Sequence, residues 1–233
     1  MWDYSKLAKD YDKRACYSQD AIDFLINRTK SKFVCDIGAG TGILTSQLLK
    51  NKKVIEVVPV EPNKQMSLIG EEKTKIKFIR AVAEDTGLDS KKFDLVTYGS
   101  SFNVCNQRDA LEEAKRILKN GGYVSCLWNH RNLKNNLQKE IEKIIKKNVK
   151  DYKYGSRRKD QEPIFSKYNW DSEYHEFCFE FNFKKKDFID GMKSHHTLKM
   201  QSGKKFKLIL KEISDILPLD FNVPYKTVMW IAK

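Results

Sequence analysis

The stretch from Val34 to Gly42 joins a short apolar strand to an amphipathic helix through three glycines in five residues. A strand, a glycine-rich turn and a helix in that order open a doubly wound α/β sheet. Glycine serves such a turn wherever the backbone takes positive φ or passes close to a ligand. The apolar positions Leu44, Leu48 and Leu49 continue at helical spacing.

The turn excludes two nucleotide fingerprints. No Gly-Lys-Ser/Thr is present, so it is not a P-loop, and its glycines are spaced two and two rather than two and three. Asp36 stands two residues before the first glycine, where an acid repels a pyrophosphate but suits a cofactor that carries a cation. Gly38, Ala39, Gly40, Thr41 and Gly42 are therefore the predicted cradle. Glu61 ends the second β-branched run, nineteen residues after Gly42, where a carboxylate can accept hydrogen bonds from both hydroxyls of a ribose. Pro62 follows it.

A chain of 233 residues can bury a sizeable core and predicts one domain with a decorated edge. Its five cysteines are scattered without a C-x-x-C pair, which argues against a zinc site or a disulfide framework, so no metal is expected. Reduced thiols, a polar amino terminus and no apolar run of membrane-spanning length predict a cytoplasmic protein with no membrane partner. Residues 1–116 are close to charge balance, 20 basic against 17 acidic, whereas 117–233 hold 24 against 14. A basic excess in the second half can attract nucleic acid, anionic membrane or acidic small molecules, and the plainer alternative is a face of solvated lysines.

Two helices are predicted within residues 5–29. Short strands follow near Lys32 and at 54–60, 76–81, 93–98 and 123–128, alternating with helices at 64–70 and 110–119. The triplet Asn120-Gly121-Gly122 reads as a helix stop. Beyond Trp128 come a helix over 133–145 and a polar loop over 150–163. Phe177, Phe179, Phe181 and Phe183 then alternate with polar residues as a strand with one apolar face, followed by a helix over 206–217 and a last strand over 228–232. The predicted fold is a Rossmann-like, doubly wound, mostly parallel seven-stranded sheet with an antiparallel last strand and an inserted substrate-side subdomain. Its expected divisions are a cofactor-binding core with an N-terminal helical lid over 1–130, a basic substrate-recognition insertion over 131–211, and terminal sheet elements over 212–233.

The pattern D-x-G-x-G-T-G resembles the class I S-adenosylmethionine-dependent methyltransferases. The run from Tyr98 through Gly121-Gly122 to Leu127-Trp128-Asn129-His130-Arg131, with Pro224-Tyr225-Lys226-Thr227, is similar to their trans-aconitate methyltransferase branch. That branch carries His-Trp where this chain has Asn103-Val104. The resemblance implies S-adenosylmethionine as cofactor and places Ala83 and Glu84 at the adenine edge. It also places Ser100 at the end of the fourth strand, and His195 among substrate-facing groups.

Methyl transfer from a sulfonium is an in-line displacement that needs alignment and exclusion of water. An already ionised carboxylate needs no base, whereas a phenol or ammonium acceptor must lose a proton. His195, Tyr11 and Arg14 are the expected catalytic groups, with Tyr4, Asn103, Arg131, Arg157 and Arg158 expected to hold an acidic acceptor through bidentate arginines. The predicted reaction is carboxylate O-methylation of a small acid or a peptide carboxyl terminus. Alternatives are N- or O-methylation of a natural-product amine or phenol, and methylation of tRNA or other RNA. A monomer or a homodimer would serve either.

Overall fold

The computed structural model describes residues 5–154 and 159–233, so the expected substrate-holding Tyr4, Arg157 and Arg158 lie outside the described residues. The short helix α1 (Ala8–Tyr11) and α2 (Gln19–Thr29) precede β1 (Phe33–Ile37) and α3 (Ile43–Lys50). Next come β2 (Glu56–Val60), α4 (Lys64–Thr74), β3 (Phe93–Gly99), α5 (Gln107–Ile117) and β4 (Leu118–Arg131). The second half supplies α6 (Asn136–Asn148), α7 (Glu162–Lys167), β5 (Ser172–Lys184), α8 (Lys185–Lys193), α9 (His196–Ser202), α10 (Phe206–Ile216) and β6 (Asp220–Ala232).

The strands form one sheet in the order β2-β1-β3-β4-β6-β5, parallel through β4 and antiparallel at β6 and β5. It has six strands among the described residues rather than the seven expected. The segment 76–81 is reduced to a bridge between Val60 and Ile79. The segment lies outside β2 at the edge of the sheet, where Lys77 and Arg80 are exposed and Phe78 turns away to pack on α4 at Gly70. Pro59 in the neighbouring β2 removes a further ladder donor. The triplet Asn120-Gly121-Gly122 lies inside β4, where the register against β3 shifts between Phe93 and Leu95. The expected helix stop is thus absorbed in an irregularity of the strand.

Alternation along the strands separates two cores. Val96, Tyr98, Val124, Cys126 and Trp128 face α5 and α7 with Ala110, Leu111, Ala114 and Phe165. Val34, Leu95, Leu127, Met229 and Ile231 face α2 and α3 with Ile22, Leu25, Ile26, Leu44 and Leu48. A third cluster joins α6, α8, α9 and α10 to the amino-terminal part of β6 through Ile141, Ile145, Phe188, Leu198, Ile209, Ile213 and Val223. The phenylalanine row of β5 spans two of these clusters: Phe177 meets Phe24 at 5.4 Å between ring centres, and Phe183 meets Phe188 at 5.2 Å. Segment 131–211 therefore contributes the edge strand as well as helices, with β5 laddered to β6 from Ser172 to Lys184. No helix among the described residues is long and apolar enough to cross a membrane.

Candidate active site

The carboxyl ends of β1, β2, β3 and β4 open on one edge of the sheet, where doubly wound folds hold ligands. The turn after β1 takes left-handed backbone at Gly38, Gly40 and Gly42, with φ of 67°, 60° and 75°. At Gly38 the close approach is decisive, because a Cβ there would stand 2.4 Å from the Cβ of Ser101. Its backbone amide donates to the Val60 carbonyl at 2.8 Å and ties the turn to β2.

Glu61 follows β2 directly and is buried, at 7% exposure. Its Oε2 accepts from the Gly40 amide at 2.9 Å and its Oε1 from the Asn63 amide at 2.8 Å. Burial raises this carboxyl above the usual range, and the two amides oppose the rise. Each carboxylate oxygen keeps a further lone pair for a ligand donor.

Asp36 is wholly buried, and its carboxylate accepts from Thr45 Oγ1 at 2.6 Å and Thr97 Oγ1 at 3.0 Å. Burial pushes it up to about 6; the two threonine hydroxyls oppose that rise and the charge of Glu61 adds to it. These bonds commit Asp36 to joining β1, β3 and α3.

Two cavities adjoin at this edge. One is lined by Gly38, Gly40, Glu61, Pro62, Met66, Ala83, Glu84 and Ser100, and the other runs beneath α6, α8 and α9. Tyr11, Arg14, Gly38, Gly99 and Ser100 line both, and so mark their junction. Ser100 adopts left-handed backbone at φ 61°, a strained conformation for a residue with a Cβ, and its Oγ lies 2.9 Å from the hydroxyl of buried Tyr17.

The cofactor-binding expectations divide by location. Glu84 lines the first cavity, where its Oε1 accepts from the Asn106 amide at 2.6 Å. Ala39 and Asp36 line the second cavity, while Thr41 and Gly42 line neither and complete the turn.

Of the expected catalytic groups, Tyr11, Arg14 and His195 all line the second cavity. The Arg14 guanidinium stacks 4.0 Å above the Tyr11 ring and donates to Ser194 Oγ at 2.9 Å and to the Ser194 carbonyl at 2.6 Å. The segment bearing it crosses between α4 and α8. It is held on one side by Lys73 on Asp12 and by Asn63 on Ser5, and on the other by Lys13–Asp187 at 3.2 Å.

Two expected substrate groups are engaged within the protein. Arg131 donates to Gln138 Oε1 at 2.7 Å and Glu142 Oε1 at 2.8 Å, and Glu142 also accepts from the Tyr154 hydroxyl. Asn103 Oδ1 accepts from Trp128 Nε1 at 2.9 Å, and Asn103 lines neither cavity.

Tyr17, Asn129, Tyr152, Tyr154 and Tyr225 also line the second cavity without having been singled out from the sequence as site residues. Asn129 had a readable signal, its place at the carboxyl end of a predicted strand. Its Nδ2 donates to the Cys16 carbonyl at 2.7 Å. The tyrosines come from three distant segments, Tyr17 before α2, Tyr152 and Tyr154 after α6, and Tyr225 in β6, which only the folded chain brings together.

Comparison with known proteins agrees with this geometry. Residues 35–126 match the family model described as methyltransferase domain. An uncharacterized methyltransferase of Mycobacterium tuberculosis is 29% identical over 133 residues, 57% of this chain and 54% of the relative. The chain thus spans about half the length of that curated relative.

A protein of Anaeromyxobacter dehalogenans, assigned as a type II methyltransferase, superposes with a TM-score of 0.61 at 12% identity, covering 94% of this chain and 96% of that one. Geranyl diphosphate C-methyltransferase of Streptomyces coelicolor, solved with S-adenosyl-L-homocysteine, superposes at 0.50 with 14% identity, covering 92% and 76%. Residues 35–126 thus match a methyltransferase domain, and the sheet has the Rossmann-like fold of solved structures that include an S-adenosyl-L-homocysteine complex. The Gly38 cradle, which a Cβ would fill, and the acceptor oxygens of Glu61 fit that cofactor's backbone-hugging nucleoside.

Proposed function

We propose that this chain, starting from its S-adenosylmethionine-dependent methyltransferase domain, methylates a carboxylate oxygen of an acidic acceptor, a small molecule or a peptide carboxyl terminus. The observation that carries this reading is Arg14. It lines the junction of the two cavities, and no carboxylate lies within ion-pair distance of it among the described residues; its partners are Ser194 and the Tyr11 ring. A guanidinium so placed can fix a carboxylate where the two ligands meet. Among the described residues Asp36 alone lines the acceptor cavity with a carboxylate, and its oxygens are occupied by threonines, so an acceptor already ionised at neutral pH suits the site.

The chemistry supplied by bound S-adenosylmethionine is an electrophilic methyl group on a sulfonium. Gly38 and Gly40 would let the backbone lie against the nucleoside, and Glu61, fixed by the Gly40 and Asn63 amides, would accept from its ribose. Ala83 and Glu84 stand where the adenine edge would rest. Tyr11 and Arg14, clasped to Ser194, cover the junction and keep water from it. Alignment in a closed site supplies the larger part of the rate gain for such a displacement. Ser100 and Tyr17 set the floor beneath the acceptor oxygen.

A second reading, methylation of an amine or phenol, draws on His130 and His195 in the cleft wall, either of which could take a proton. The test is incubation with methyl-labelled cofactor and panels of acids, peptides, amines and phenols. Base-labile methyl ester is expected; base-stable product alone, lost in His195→Ala, would establish the second reading instead. Steeply salt-dependent binding of tRNA would point to RNA as the acceptor.

A further inference from the structure

The acceptor cavity has a chemical polarity of its own. Away from the junction its wall is Ile145, Phe183, Phe188, Met192 and Leu198, all nearly inaccessible, with Tyr152, Tyr154 and Tyr225 half-buried beside them. Phe183 and Phe188 meet edge to face at 5.2 Å, Tyr152 and Tyr154 do so at 5.3 Å, and Tyr225 lies 6.3 Å from Phe183. Aromatic edges and faces at these separations form a rigid apolar surface with a strong preference for flat or branched hydrocarbon.

Among the described residues the cavity lining holds two arginines, Arg14 and Arg131, and two histidines, His130 and His195, and no lysine, although the chain carries an excess of 13. Arg131 is neutralised by Glu142 at 2.8 Å, with the two side chains at 17% and 8% exposure. Glu176 is held in its charged form chiefly by Lys226 and Tyr174, with His130 adding a smaller attraction. Arg14 at the junction is the one arginine or lysine of the lining that lacks a carboxylate partner among the described residues. A polycarboxylate placed here would bury at least one anion against apolar wall, and an unpaired buried charge is far more costly than an unpaired hydrogen-bonding group.

Resting on the carboxylate reading above, we infer that the acceptor is a monocarboxylic acid with an aromatic or branched apolar body. Its carboxylate is held at Arg14 and its hydrocarbon lies between the Tyr152–Tyr154 pair and the Phe183–Phe188 pair. The inference separates this acceptor from small polycarboxylates and from peptide ends, whose backbone amides would find few partners along that wall.

The test is calorimetric binding to the full-length protein, saturated with S-adenosyl-L-homocysteine, of three probes: 3-phenylpropanoate, its neutral amide and tricarballylate. The acid is expected to bind at least about tenfold more tightly than either of the others, the amide lacking the charge and the tricarboxylate lacking further cations. Arg14→Gln is expected to bring the acid down to the affinity of the amide while weakening S-adenosyl-L-homocysteine by a smaller factor. Because the acid and amide are compared on the unmodified protein, the test does not depend on how that variant folds.

Tricarballylate binding as tightly as the monoacid, or the amide binding as well as the acid, would overturn the inference. So would an Arg14→Gln variant that loses S-adenosyl-L-homocysteine and not the acid, because Arg14 would then serve the cofactor. Failure of the ester chemistry shows separately, as binding of 3-phenylpropanoate in the expected order while labelled methyl appears only in base-stable products of other acceptors.

Discussion

Two buried carboxylates with opposite tasks govern the cofactor turn at the scale of single residues. Asp36 is held at about 6 against 3.8 when unfolded, so between those values the folded chain holds more protons than the unfolded one. Its contribution to stability therefore falls as pH rises through that window, by on the order of 3 kcal/mol. Asp36→Asn keeps the shape and removes the charge, so the variant is expected to gain stability over wild type at pH 7.5 and to lose that advantage near pH 4. Urea melts at the two pH values check this, and an equal gap at both would refute it. Glu61 offers acceptor oxygens to two amides and to a ligand together. Glu61→Gln supplies one oxygen fewer and sets its own N–H against one of the two amides, so affinity for S-adenosyl-L-homocysteine should drop about tenfold to a hundredfold by calorimetry and the melting temperature should fall as well.

Helix α6 and the end of β4 are joined by one polar chain, Tyr154 and Arg131 on the two oxygens of Glu142 with Gln138 beside them, all half-buried or buried. Removing the shared acceptor leaves a guanidinium without its counter-charge in a poorly solvated wall. Glu142→Ala should cost about 3 kcal/mol by chemical denaturation, and amide exchange should accelerate in α6 before it does in β1 or β3. Glu142→Gln, which can still accept and donate, should lose less; equal losses would mean that the charge carries the whole effect and the remaining hydrogen bonds none. The capped ends of α4 and α6 have a different origin, since Asn63 and Asn135 accept from amides two or three residues on and are readable from sequence alone.

For the molecule as a whole, β6 carries the most weight. It ladders with β4 from Val124 to Arg131 and with β5 along its full length, and its side chains enter all three apolar clusters. Deleting residues 220–233 would leave β5 without a neighbour and open the sheet along β4. The shortened chain is expected to lose cooperative unfolding in calorimetry and to expose apolar surface to a hydrophobic dye, whereas a sharp transition would show that β1 to β4 stand without it.

The sequence alone determined the strand-turn-helix at Asp36–Gly42, the acid at Glu61 and the apolar alternation of β5, because each depends on spacing within one segment and on local backbone preference. It erred at 76–81, where a run that reads as a strand is exposed on one side and bends to bury Phe78 on α4. Only tertiary structure decided which cations face the cleft. Arg14 meets Ser194 across 180 residues, and Arg131 is neutralised by an acid on the next helix. An arginine's availability to a substrate depends on what else lies within about 4 Å of it, a distance set by how elements pack rather than by the order of residues along the chain.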